Sequence, residues 1–299
     1  MKIAITGGTG FLGRYLEEKL LKYKHEPVIL TRKVIIDNNI EYRFTDYSIT
    51  DLIDNLADID AVVHLAAKRG SQGRISEFHD NEVLTQNLYE ACLKNEIRNI
   101  IYASSISVYS DETLLPWTEK HPPMPKLMYG VSKMACEYIG NIYSGRYGLK
   151  IKNLRFAHIY GFNEKNNYMI NKFFRQAFNK KTLVLDSKSI SKREFLYAKD
   201  AAKAILCALN TPEASGNYNI GSGEALTNLE VAKKINSIFK NEGNLLIKDQ
   251  SASESIKSSY MESRKALNIL NFKADYSFSS SLQEIYDSMK ELDHVPILY

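Results

Sequence analysis

Short apolar runs alternate along the first half of the chain with stretches whose apolar residues recur three and four positions apart. Residues 2–6 form one such run, and 11–23 place Leu12, Leu16, Leu20 and Leu21 on one helical face. The next run is 27–32, and "DLIDNL" opens a helix with Thr50 or Asp51 as its cap. Runs at 61–67 and 99–105 read as strands, with a helical stretch at 81–95 between them. A helix over 130–148 ends at a glycine, and 151–161 reads as a further strand. Regular alternation of strand and helix predicts an α/β fold, a doubly wound parallel sheet covered on both faces. Beyond 161 the pattern loosens into the helix "MINKFFRQAF", a strand and helix in "REFLYAKDAAKAILCAL", and a last unit of "YNIGSG" and "TNLEVAKKINSIF". This predicts a first domain at 1–160 and a smaller, interleaved C-terminal domain at 161–299, with parts near 190–220 free to return to the first.

Composition narrows the class without changing that picture. The chain has 299 residues, 44% hydrophobic and 25% charged, an ordinary balance for a globular protein with ample core. Its net charge of +4 is small and the cations are interspersed with acids, which argues against a nucleic-acid partner. No apolar run reaches membrane-spanning length. No signal peptide is evident, and Cys92, Cys136 and Cys207 lack metal spacing. The expectation is a cytoplasmic protein with no metal.

The first candidate chemistry lies in "TGGTGFLG", residues 6–13. A strand running into glycines and then a helix is the context of a dinucleotide fingerprint in a Rossmann-type domain. Gly7 takes the tight turn, Gly10 lets backbone approach a pyrophosphate, and Gly13 lets the helix lie close to the sheet. The helix N-terminus then offers amides to the anion. The end of the second strand carries Thr31, Arg32 and Lys33 where an acid would bind the ribose of NAD. Thr31, Arg32 and Lys33 suit a 2′-phosphate, which favours NADPH on charge, or the two cations are solvated surface charges, so NAD and NADP both remain open. Asp46 is a candidate acceptor for the adenine amino group.

The second lies in "YGVSK". Tyr129 and Lys133 are four apart and share a helix face. A neighbouring ammonium stabilises a phenolate, so Lys133 is expected to lower the Tyr129 pKa and ready it as a general base or acid. Lys133 can also hold a nicotinamide ribose. Ser105 ends the fourth strand, where open α/β sheets bind ligands, and its hydroxyl can hold the reacting oxygen.

With these residues in place, the chain resembles the extended short-chain dehydrogenase/reductases, in their NAD(P)-dependent sugar-nucleotide epimerase/dehydratase branch. The resemblance runs through "TGGTGFLG", "DAVVHLAA", "HDNEVLTQNLYEAC", "YASSISVYS", "YGVSK", "LRFAHIYG", "REFLYAKDAAKAI", "YNIGSG" and "SRKALNIL". It implies Ser105, Tyr129 and Lys133 as the catalytic trio. It implies Gly7, Gly10, Phe11, Leu12 and Gly13 at the pyrophosphate, Leu65, Ala66 and Ala67 beside the cofactor, and Asn81 behind it. Arg193 matches the arginine that members point at the nucleotide diphosphate, and a homodimer through two long helices is the common assembly.

The chemistry so implied is transient oxidation of a nucleotide sugar at C4. A 4,6-dehydratase would need acids after the catalytic hydroxyl, where this chain has Ile106 and Ser107, so a 4-epimerase of UDP-hexoses or UDP-N-acetylhexosamines ranks first. The alternatives are an NADPH-dependent reductase of a nucleotide 4-keto-sugar, and a non-catalytic cofactor-binding protein. His158 stands where the family often has Asn, and with Ser107 and Arg193 it makes the expected substrate set. Residues 249–263 lack the arginine common in UDP-sugar epimerases, leaving Lys257 as a substitute, and Lys199 replaces a common acid. His64 is expected in the core, Asp111, Glu112 and Glu119 in solvent around Trp117, and the terminal "DHVPILY" against a neighbouring molecule.

Overall fold

The computed structural model describes residues 1–37, 39–69, 73–249 and 257–298. In chain order the first elements are β1 (Lys2–Thr6), α1 (Phe11–Lys22), β2 (Glu26–Thr31), β3 (Glu41–Phe44), α2 (Ile49–Asn55), β4 (Ala61–His64), α3 (His79–Lys94), β5 (Asn99–Ser105), α4 (Met128–Tyr147) and β6 (Lys150–Phe156). There follow β7 (His158–Tyr160), α5 (Met169–Phe178), β8 (Leu183–Ser187), β9 (Lys192–Tyr197), α6 (Ala198–Leu209), β10 (Gly216–Ile220), β11 (Ala225–Thr227), α7 (Asn228–Ile238), β12 (Leu245–Asp249), α8 (Arg264–Leu270) and α9 (Phe278–Lys290).

The main sheet among the described residues has seven strands in the order β10-β6-β5-β4-β1-β2-β3, every pair parallel. Its strands β1, β2 and β4 are largely apolar because both faces are covered there. On β1, Ile3 and Ile5 pack toward α1 and α6, while Ala4 packs toward α2, α3 and α4. The strand order reverses between β1 and β4, and there a crevice opens at the carboxyl ends of the strands.

The structure departs from the sequence reading at informative places. The expected strand 151–161 is two: β6 ends at Phe156 in the main sheet, and β7 pairs with β9 in a separate three-stranded sheet. The chain changes sheets at Ala157, whose N–H donates to the Ile220 carbonyl at 2.9 Å. Residues 216–220 return to the main sheet as β10, and α6 packs beside α1, so the sheet takes in chain well beyond residue 160. The cap of α2 is Ser48, whose hydroxyl accepts from the Asp51 N–H, in place of Thr50 or Asp51. β3 has no apolar run; it is an edge strand with an exposed, charged sequence, EYRF. The cap core joins α5, α7 and α9 over β8 and β9, around Phe173, Ile235, Phe239, Leu282 and Ile285. Val295 is buried in that core, and Asn179 and Arg175 donate to the carbonyls of Val295 and Ile297. The terminal stretch is tied through the Val295 and Ile297 carbonyls to α5 of the same chain; Tyr299 lies outside the described residues.

Candidate active site

The crevice at β1 and β4 begins with the glycine loop. Gly7 sits at φ +70°, a left-handed conformation, and a Cβ there would lie 2.6 Å from the Ala66 nitrogen. Gly10 caps α1 with no side-chain hydrogen bond, and its own N–H donates to the Gly7 carbonyl at 3.0 Å. The first-turn amides that follow, from Phe11 and Leu12, have no side-chain cap and form a ready anion receptor. A Cβ on Gly13 would stand 2.2 Å from the Gly8 carbonyl oxygen, so only glycine lets the helix start this close to the loop. Backbone held open in this way fits the pyrophosphate of a dinucleotide.

The opposite wall is locked to that loop. The Thr6 hydroxyl accepts from the Ala66 N–H at 3.2 Å and shares a 2.7 Å hydrogen bond with His64 Nδ1. His64 is buried between Thr6 and Thr85, and burial pushes its imidazole down to about 3, with the Lys133 charge adding to the effect. It is a neutral core group, as the sequence suggested. Leu65, Ala66 and Ala67 line the wall half-buried. Asn81 does not face the crevice. Its Oδ1 accepts from the Lys68 N–H at 2.7 Å, and its amide donates to the Lys68 carbonyl at 3.3 Å and to Ser132 Oγ at 3.2 Å. With three of its hydrogen-bonding positions filled by protein, Asn81 braces the wall from behind.

Arg32 is exposed just past β2, and Asp46 is exposed just past the adjoining β3. The Asp46 Oδ1 accepts from the Ser48 N–H at 2.7 Å, which holds the carboxyl low and builds the turn into α2. Both stand at the rim of the carboxyl ends of the strands.

Ser105, Ser107, Tyr129 and Lys133 come together beyond β5. Ser105 Oγ donates to Ser107 Oγ and accepts from the Ser107 N–H, both at 3.1 Å. α4 begins against this serine turn: a Cβ on Gly130 would lie 2.2 Å from the Ser107 carbonyl oxygen. Glycine beside Tyr129 thus lets the phenol reach the serines. Lys133 is buried, and its Nζ donates to the Ala103 carbonyl at 2.6 Å. It lies 4.8 Å from the Tyr102 ring centroid and 5.8 Å from that of Tyr129.

The electrostatics differ from the expectation. Burial pushes the Tyr129 phenol up to about 12, and the influences that oppose it are the Arg69 charge and the Ser105 hydroxyl, not Lys133. The Lys133 ammonium is itself pushed down to about 8 by burial. Its Nζ is engaged by the Ala103 carbonyl and lies 5.8 Å from the centroid of the phenol ring. Arg69 was not singled out by the sequence. It follows the "HLAA" run within a Lys-Arg pair, and its guanidinium meets the buried carboxylate of Glu164 at 3.4 Å through both nitrogens.

On the far side of the crevice, the His158 ring hydrogen-bonds Ser259 Oγ at 3.1 Å. Burial and the neighbouring Arg193 push it down to about 4, so it is a neutral donor or acceptor at pH 7. Arg193 lies on β9, bridged to Ser259. Lys257 pairs with Glu112 at 3.4 Å and Lys199 with Glu284 at 2.5 Å. Residues 250–256 of the arginine-free stretch lie outside the described residues. Glu119 is half-buried, and its Oε1 accepts the Asn219 N–H at 2.7 Å, because the edge strand β10 leaves that amide facing the loop. Asp111 accepts from Thr113 to start a short turn, and its carbonyl accepts from Trp117 Nε1 at 2.6 Å.

No helix among the described residues is long and apolar enough to cross a membrane, and no metal-binding cluster occurs among them. The model of the NAD dependent epimerase/dehydratase family matches residues 3–221. An uncharacterized UDP-glucose epimerase of Bacillus subtilis (strain 168) is 30% identical over 306 aligned positions, 94% of this chain and 96% of that one. The crystal structure of UDP-N-acetylglucosamine 4-epimerase from Bacillus cereus superposes with a TM-score of 0.94 and 60% identity over 100% of both chains. That of UDP-glucuronic acid 4-epimerase from the same organism, in complex with UDP-glucuronic acid and NAD, gives 0.85 and 26%, covering 97% of this chain and 99% of that one.

Proposed function

This chain belongs to the NAD dependent epimerase/dehydratase family, and from that premise we propose that it is a 4-epimerase of UDP-N-acetylhexosamines. The observation that carries the sugar is the 60% identity, over the full length of both chains, with the UDP-N-acetylglucosamine 4-epimerase of Bacillus cereus. The serine turn supports epimerisation over dehydration: Ile106 and Ser107 offer no acid or base for removing the 6-hydroxyl.

The glycine loop and the uncapped start of α1 would hold the cofactor pyrophosphate, with Leu65, Ala66 and Ala67 as the facing wall. Bound there, oxidised NAD supplies a ring that accepts and returns the C4 hydride, and a positive charge that favours phenolate. Tyr129 takes the proton of the sugar 4-hydroxyl and later returns it. Ser105 donates a hydrogen bond to that oxygen, its orientation set by the Ser107 N–H. Lys133, held by Ala103, would bind the nicotinamide ribose. Arg69, anchored by Glu164, adds a positive charge that opposes the rise in the phenol pKa and so favours the phenolate. Arg193 and His158 face the nucleotide diphosphate, and Ser107 the sugar.

The test is a panel of UDP-, GDP- and dTDP-sugars, read by chromatography for the C4 stereoisomer. Interconversion of UDP-N-acetylglucosamine and UDP-N-acetylgalactosamine without net change in NADH absorbance is expected. Turnover only with added NADPH and a 4-keto-sugar would replace this reading with a reductase.

The sparse, unpaired cysteines support a cytoplasmic location. The assembly proposed is a homodimer joined through α3 and α4, which expose Val83, Tyr138 and Ile142. Sedimentation velocity is expected to give about twice the chain mass of 34.1 kDa, and a monomer at micromolar concentration would exclude it.

A further inference from the structure

A buried carboxylate that the reaction does not use lies directly after Arg193. Glu194 is 1% exposed, and among the described residues no cation pairs with it. Its oxygens accept backbone N–H groups from two distant segments instead, Oε1 from Gly223 at 2.8 Å and Oε2 from Met261 at 2.9 Å. Gly221 comes so close that a Cβ there would stand 2.1 Å from Oε1. Burial raises the carboxyl pKa, while the backbone N–H groups oppose that rise. A charge buried without a counter-ion is tolerated only where such donors fix it.

The segment that Glu194 grips, residues 258–262, is a strap between the two halves of the molecule. On one side it runs along β9: the Glu194 N–H donates to the Ser259 carbonyl at 3.0 Å, and the Ser259 N–H to the Lys192 carbonyl at 2.8 Å. On the other side the Trp117 N–H donates to the Tyr260 carbonyl at 3.1 Å, and the Glu262 N–H to the Trp117 carbonyl at 2.8 Å. Trp117 stacks on Tyr109, just past the serine turn, at 5.3 Å between centroids. Ser259, in the middle of the strap, holds His158. One buried side chain thus ties the strap and the turn at 221–223 to the strand that bears Arg193.

We propose that Glu194 is a positioning residue that clamps this strap and turn onto β9, and so sets Arg193 and His158 at the spacing a nucleoside diphosphate needs from Ser105 and Tyr129. The inference rests on the nucleotide-sugar reading above. Its consequence is selective: loosening the clamp weakens grip on the nucleotide, and leaves the cofactor loop and the phenol–serine pair in place.

The experiment compares the full-length wild type with Glu194→Gln and Gly221→Ala, the second of which drives the carboxylate off its donors. UDP affinity is read by calorimetry, kcat and KM by epimerisation of UDP-N-acetylglucosamine, and bound NAD by its absorbance after denaturation. Both variants are expected to raise the UDP Kd and the KM by roughly tenfold, with kcat within about threefold and NAD retained. Unchanged Kd and KM in either folded variant would overturn the clamp. So would a loss of kcat and NAD in proportion to a lowered Tm, the mark of general loosening. A wild type that binds UDP but epimerises no UDP-sugar would instead remove the functional reading, and the UDP titrations would still decide the clamp.

Discussion

Replacing Tyr129 by phenylalanine is expected to lower kcat by about 10³-fold, the scale of a lost general acid–base group, while NAD content stays at the wild-type level. The substitution removes one oxygen and keeps the ring. The contact with Phe78, at 6.3 Å between centroids, and the packing of Gly130 on the serine turn survive it. Cofactor contacts proposed for the glycine loop lie on a different strand and are untouched. Chromatographic rates of UDP-N-acetylhexosamine interconversion, beside the absorbance of released NAD, read both halves. A Tyr129→Phe enzyme within tenfold of wild type would show that the proton passes through another group.

The other large effect concerns stability. Arg155 and Glu137 form an ion pair that is 1% and 2% exposed, with contacts of 2.9 Å from Nε and 2.6 Å from Nη2. Ser104 also donates to Glu137 Oε1, Arg155 donates to the Tyr109 hydroxyl at 2.5 Å, and that hydroxyl donates to Asn219 Oδ1 at 2.9 Å. Arg155→Met is expected to destabilise the protein by about 3–5 kcal/mol, since it strands a buried carboxylate. Replacing both partners with apolar residues, Glu137→Leu with Arg155→Met, should restore most of the loss, because the desolvation cost then disappears with the charges. Urea midpoints for the single and double variants decide the matter. A single variant within about 1 kcal/mol of wild type would mean that water reaches Glu137. The pair also bears on the site. Glu137 lies about two turns beyond Tyr129 on α4, and Ser104 adjoins Ser105, so the network fixes the helix of the phenol against the strand of the serine.

Much of this was legible in the order of residues, for local reasons. A buried parallel strand favours a near-continuous apolar run, so β1, β4 and β5 announce themselves. A glycine at positive φ or in backbone contact admits no other residue without strain, so Gly7 and Gly13 mark the loop. Tyr129 and Lys133 share a face by helix period alone. β3 escaped because an edge strand needs no apolar run, and the split of 151–161 escaped because β6 and β7 follow one another with only Ala157 between them. The hydrogen bond of Glu119 to a strand amide escaped because a polar side chain reads the same whether it meets a ligand, solvent or a backbone amide.

By itself the sequence determined the alternating α/β framework, the phosphate-binding loop and the presence of a tyrosine, lysine and serine able to work together, since each depends on neighbours a few residues away. Only the tertiary structure decided which charges act on the phenol, that Lys133 turns to Ala103 while Arg69 bears on Tyr129, and that Glu194 grips Gly223 and Met261 from β9. Those relations join residues 29 to 67 positions apart, and electrostatic strength follows distance through space and burial, neither of which is written in local spacing.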